Sequence, residues 1–140
     1  MTNTIWQLET LNNRQIQQLH EMFQLEWWTQ GRTLADVRRM LDNTDIMVAF
    51  CEVRTGDLIA FTRVLTDYTY KALLLDMMVR SDYRSIGLGK QLVASVLNHE
   101  QLSDVSHVEL YCLPEMVPFY RELGFTNQLK PLQFMRRTRR

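Results

Sequence analysis

The sequence predicts an α/β (α+β) fold, a central mixed, mostly antiparallel sheet flanked by helices, in a single domain over residues 1–140. Three observations lead there. Strand-like stretches outnumber helical ones and are mixed with them. Ile46 to Val53 and Leu58 to Leu65 are two strands joined by Thr55-Gly56-Asp57, the pattern of a hairpin. A further short apolar run, Leu73 to Val79, leads through a glycine-bearing loop into a helix, where Leu88, Leu92, Val93, Val96 and Leu97 recur at helical spacing.

Length and composition bound the rest. A chain of 140 residues holds one real core but not two, and 46% hydrophobic with 23% charged residues is ordinary for a soluble globular protein. The formal net charge is zero, which argues against a dedicated nucleic-acid binder or a binder of anionic membranes. The basic end Arg136-Arg137-Thr138-Arg139-Arg140 reads as a solvated terminus. Cys51 and Cys112 are isolated, with no zinc or redox spacing, so the expectation is two reduced, buried thiols and no metal. Met1-Thr2-Asn3-Thr4 lacks a basic region followed by an apolar core, and no run approaches a membrane span, so a cytoplasmic protein is expected.

In chain order, Ile5 to Leu8 reads as a short first strand. Asn12 or Asn13 can cap a helix to about Leu25, with Ile16, Leu19 and Phe23 on one face. After Gly31, Thr33 supplies a cap oxygen and Asp36 a capping-box acid for a helix to about Leu41. Two adjacent tryptophans, Trp27 and Trp28, lie between these helices and cannot both point into one core from a single helical face. They are candidates for an aromatic wall of a substrate site, against the plainer reading that both cover the sheet. In the hairpin, Arg63 reads as an exposed position on an alternating strand. The turn Asp67-Tyr68-Thr69-Tyr70 offers Tyr68 and Tyr70 as further substrate-site candidates. His107 to Tyr111 is another strand, Pro114, Pro118 and Gly124 bracket a short helix, and Phe125 to Arg137 returns as a last strand with Phe134 and Met135 in the core.

The loop before the long helix carries the chemistry. A helix start presents unpaired N–H groups and the positive end of a dipole, and Gly87 and Gly89 let a phosphate approach, with Arg84 and Lys90 adding charge. Glycines making only a tight turn would look the same. The loop is neither of two familiar phosphate binders: Arg84 stands five residues before Gly89 where a P-loop needs glycine, and Leu92 stands where the dinucleotide fingerprint needs its third glycine.

Val79-x-x-x-Tyr83 followed by Arg84-x-x-Gly87-x-Gly89 resembles the acyl-CoA-binding motif of the GNAT superfamily of N-acetyltransferases. Downstream, Phe119-Tyr120-Arg121-Glu122-Leu123-Gly124-Phe125 is similar to the Phe-Tyr-x-x-Leu-Gly-Phe segment of the same family. The resemblance implies acetyl-CoA as cosubstrate, held by Met78, Val79, Arg84, Ser85, Ile86, Gly87, Leu88, Gly89 and Lys90. It also implies Tyr120 as the general acid for the departing thiolate. Asp76, an acid set in an apolar strand, is the candidate base, against the plainer reading of a solvent-facing or backbone-bonded carboxylate. Two departures from the family pattern stand out: Leu73 where some members carry Glu, and Leu113 where many carry Asn.

The expected function is acetyl transfer to a primary amine, by analogy a small molecule, with no nucleic-acid or membrane partner and a homodimer left open. A non-catalytic acyl-CoA-binding or sensing module is the alternative. A third reading gives the basic tail a protein partner.

Overall fold

The sheet grows in chain order, with β1 (Ile5–Leu8), β2 (Ile46–Glu52), β3 (Leu58–Thr66), β4 (Lys71–Val79) and β5 (His107–Glu109) each beside the next. The computed structural model describes residues 4–140. Met1, Thr2 and Asn3, on which the reading of the N-terminus partly rests, lie outside the described residues. The chain divides into two compact units, Met1–Leu110 and Tyr111–Arg140.

In the first unit β1 to β4 are antiparallel and β5 joins β4 in parallel, so the sheet is mixed as expected. A parallel neighbour needs a crossover, which α3 (Leu88–Leu97) supplies. β3 is central, and its Leu58 to Thr62 are all buried, which requires cover on both faces. On one face α1 (Asn13–Gln24) and α2 (Leu34–Asp42) bring Leu19, Met22, Phe23 and Val37 against Ala49, Leu58, Phe61 and Met78. Separately, α3 packs its buried Leu88, Leu92, Val93 and Val96 on β2, β3 and β4. Each such side chain contributes about 1.5–3 kcal/mol by leaving water.

The helix starts follow the caps in the sequence. Asn12 Oδ1 accepts the Gln15 N–H at 2.8 Å while Gln15 Oε1 accepts the Asn12 N–H at 3.1 Å, a full capping box. Thr33 Oγ1 accepts the Asp36 N–H at 3.1 Å. The hairpin turn places Gly56 at φ 76°, in the left-handed region.

The second unit holds α4 (Val117–Glu122), closed by Gly124 at φ 96° as expected. It also corrects two expectations. Residues 125–140 form no strand, and Phe134 and Met135 are 67% and 87% exposed instead of forming a core pair. The Phe134 ring packs 5.0 Å from Tyr111, and the Arg136 guanidinium lies 5.3 Å from Tyr111 and 5.6 Å from Phe134, so local stacking replaces sheet pairing. Cys51 is buried, but Cys112 is exposed, because β5 ends at Glu109 before reaching it.

Candidate active site

The loop between β4 and α3 has the geometry that a phosphate site needs. Ser85 and Gly87 take positive φ, 68° and 88°, and reverse the backbone twice within three residues. A Cβ at Gly87 would meet no atom within 4 Å, so glycine answers there to backbone angle and not to packing. Gly87 is the N-cap of α3 and no side chain caps this helix. Gln91 N–H already bonds Gly87 O at 3.0 Å, and the N–H groups of Leu88, Gly89 and Lys90 precede it in the first turn, where a helix offers donors to an anion. Gly89 is helical, so only Gly87 has the left-handed role. Arg84, Ser85, Ile86 and Lys90 are exposed, while Leu88 is buried and can offer only its backbone.

Upstream, β4 is bulged. Phe61 pairs with Met78 and Arg63 with Leu75, so Asp76 and Met77 together face Thr62. Asp76 sits at φ 54°, and Thr62 Oγ1 donates to Leu75 O at 2.9 Å across the irregularity. Pairing with β5 ends at Leu73 with Glu109, while β4 runs on to Val79. Met78 turns its side chain into the core, and the Val79 carbonyl accepts from Arg84 Nε at 2.9 Å.

Asp76 is a buried acid paired with two arginines. Its side chain is 5% exposed and accepts from Arg32 Nη1 at 2.9 Å, Arg32 Nη2 at 3.2 Å and Arg63 Nε at 2.7 Å. A left-handed non-glycine residue costs roughly 1–2 kcal/mol, and charged hydrogen bonds worth about 1.5–3 kcal/mol each can hold it there. Burial alone would raise the Asp76 pKa, but the hydrogen bonds and charges of Arg32 and Arg63 outweigh it and hold the carboxyl below its ordinary value. A carboxylate in this state has little affinity for another proton. Arg63 is thereby corrected: its side chain is 13% exposed and faces Asp76, not solvent. Sequence reasoning missed Arg32 altogether, although a lone acid in an apolar strand calls for cations to pair with it.

Arg32 belongs to the segment between α1 and α2, which is fastened at both ends. At one end Glu26 Oε1 accepts from Arg84 Nη2 at 3.0 Å, and at the other Arg32 holds Asp76. Between them Thr29 is buried and donates to Phe23 O at 2.8 Å. Trp27 and Trp28 are both exposed, at 72% and 42%. The structure thus brings the tryptophan segment to the β4–α3 loop. Tyr68 and Tyr70, also exposed, lie before Lys71 at the far end of β4, roughly 26 Å of strand away, and are not brought to that loop.

Tyr120 lies in the second unit, on α4. It is buried between Phe119, at a ring distance of 5.0 Å, and Phe125, at 5.8 Å. Its pKa is pushed up to about 12, first by burial and then by Cys112. A phenol in that setting keeps its proton at neutral pH and can donate it.

Comparison with known proteins agrees with this geometry. The acetyltransferase (GNAT) domain model matches residues 42–127. A solved structure from Deinococcus radiodurans R1 superposes with a TM-score of 0.79 at 31% identity, covering 96% of this chain and 90% of that one. An uncharacterised N-acetyltransferase of Pyropia yezoensis is 25% identical over 120 residues, 84% of this chain and 68% of that protein. GCN5-related N-acetyltransferase 1, chloroplastic, of Arabidopsis thaliana is 29% identical over 111 residues, 77% of this chain and 56% of that protein, so the chain spans little more than half its length. The protein is an enzyme of the N-acetyltransferase class. It belongs to the GNAT family, whose acetyltransferases use acetyl-CoA. Among the described residues no helix is long and apolar enough to cross a membrane.

Proposed function

We propose that the chain works as one cytoplasmic N-acetyltransferase domain that moves the acetyl group of acetyl-CoA to a primary amine of a small molecule. The observation that carries this reading is the start of α3, uncapped by any side chain and preceded by left-handed Ser85 and Gly87. A pyrophosphate fits there, held by the N–H groups of the first turn with Arg84 and Lys90 supplying charge. Met78 and Val79 would offer backbone groups to the amides of the pantetheine arm, in the manner of an added strand. The family match runs across both units, which supports a single working domain.

Acetyl-CoA supplies a thioester whose carbonyl carbon takes the amine nitrogen and whose sulfur leaves with the bonding pair. Tyr120 donates its phenolic proton to that sulfur, a role for which its raised pKa keeps it protonated. The incoming amine must be uncharged, although an alkylamine has a pKa near ~10, so it gives one proton to water before attack, and the proton that the attacking nitrogen still carries restores the Tyr120 phenol. Asp76 is poorly suited to take either proton, because three N–H donors already occupy its carboxylate. Its geometry fits a positioning residue for the bulge. The base role would return if Asp76→Asn kept its stability yet lost most of its turnover.

Mass-spectrometric detection of acetyl transfer to a panel of small amines and lysine peptides tests the reading. Stimulation of thioester loss by small amines is expected. Loss without stimulation by any amine would contradict the proposed transfer, and preference for peptides would contradict the small-molecule acceptor.

A further inference from the structure

The cluster at Asp76 is not electrically closed. Two guanidinium groups, of Arg32 and Arg63, meet one carboxylate, which leaves one positive charge over. The side chains of Arg32, Asp76 and Arg63 are 31%, 5% and 13% exposed, so water and salt screen that charge only in part. Arg32 is the more committed of the two: Nη1 and Nη2 both donate to Asp76, Nη1 also reaches Met40 Sδ at 3.6 Å, and its Cζ lies 4.6 Å from the Phe23 ring centre. Arg63 donates to Asp76 through Nε alone. Its Nη1 and Nη2 bond no acceptor among the described residues, and no buried side-chain nitrogen there lacks a partner, so the accessible part of Arg63 includes its Nη end. A guanidinium edge with N–H groups to spare, on a cluster that is net positive, selects a carboxylate over a neutral or cationic group.

The cluster also stands at the thioester end of the cosubstrate. With pyrophosphate on the loop before α3, a pantetheine arm along Val79 and Met78 leads away from that loop toward the bulge. Asp76 is three residues back along β4 from Val79, roughly 10 Å of strand, and the pairing of β4 with β5 has ended at Leu73. We infer that Arg63, backed by Arg32, binds a carboxylate of the acceptor, so that the acceptor is an amino acid whose amine is acetylated. This rests on the reading that the pantetheine arm lies along Met78 and Val79. The bound carboxylate anchors the acceptor by a group that does not react, and it brings the cluster to two cations and two anions. A diamine would instead add a cation where one is already in excess.

The test is calorimetry on the full chain with CoA bound, so that Arg84 and Lys90 are already taken by phosphate. The probes are unbranched amino acids of increasing length starting at glycine, their carboxamides, and diamines of matching length. At the length that fits, the amino acid should bind at least about tenfold more tightly than its carboxamide. Arg63→Lys, which keeps the charge and loses the fork, should shrink that preference to about threefold or less. Equal affinity for every amino acid and its carboxamide, or tighter binding of a diamine, would overturn the inference on wild-type protein alone, whether or not Arg63→Lys folds. A preference that survives Arg63→Lys in full would overturn it too, and each of these results leaves the acetyl-CoA site intact. Failure of wild-type protein to bind acetyl-CoA would overturn both this inference and the reading on which it rests.

Discussion

Arg63 donates through Nε to Asp76 Oδ2 at 2.7 Å, tying β3 to β4 at the bulge where their ladder slips. Arg32 closes the other side of the same carboxylate, so the segment that carries the tryptophans is held to the sheet through one buried acid. The bulge and both ion pairs therefore meet at one carboxylate, while Glu26 and Arg84 fasten the other end of the segment.

Replacing Asp76 with alanine leaves Arg63 buried without its partner. The expected loss is about 3–5 kcal/mol in urea unfolding, far above the change from an exposed ion pair. An unfolding midpoint equal to wild type would show that the carboxylate does not organise the bulge.

Acid should act through the same group. The Asp76 pKa is lowered in the folded chain, so its contribution to stability is complete above the unfolded value of about 3.9 and is lost as pH falls through the lower folded value. Unfolding midpoints measured on acidification should fall less in Asp76→Asn than in wild type, relative to each protein's own neutral value. Parallel curves would remove Asp76 from the acid limb.

Gly87→Ala separates backbone strain from packing. Nothing lies within 4 Å of the added methyl, so the cost is that of φ 88°, roughly 1–2 kcal/mol. Because the same angle aims the first turn of α3, acetyl-CoA affinity should fall by more than the loss of stability alone accounts for. A variant with full affinity would mean that the turn does not shape the phosphate site.

Tyr120→Phe should lower kcat by about a hundredfold or more while acetyl-CoA affinity stays within a factor of about two. With the phenol pKa at about 12, no alkaline loss of rate from this group is expected below pH ~11. Equal rates in the variant and wild type would take Tyr120 out of the mechanism.

What was legible in the sequence was local. The Asn12 and Thr33 caps, the Gly56 hairpin and the face of Leu88, Leu92, Val93 and Val96 are written in patterns of a few residues, and the elements formed there. β4 began two residues early, at Lys71, because pairing with β5 extends it beyond its apolar run. The last strand failed for a related reason: apolar residues such as Phe134 permit a strand but do not provide a partner, and here Tyr111 and Arg136 take that ring. Within the site the glycine loop could be read, since Gly87 carries its angle in its identity. The Arg32–Asp76–Arg63 cluster could not, since its members are far apart in sequence and Arg63 fits an alternating exposed position equally well. Asp76 alone gives a signal, as an acid set in an apolar strand, and that signal reads as a base or as a solvent-facing or backbone-bonded carboxylate, not as the partner of two arginines.

The most direct test is a calorimetric titration with acetyl-CoA, with ATP and NAD as comparisons, on wild-type protein and Arg84→Ala. The account predicts that acetyl-CoA binds, that ATP and NAD do not compete with it, and that Arg84→Ala weakens binding by about tenfold, the worth of one charged contact. Absence of acetyl-CoA binding, or full affinity in Arg84→Ala, would contradict the assignment of the β4–α3 loop as the cosubstrate site.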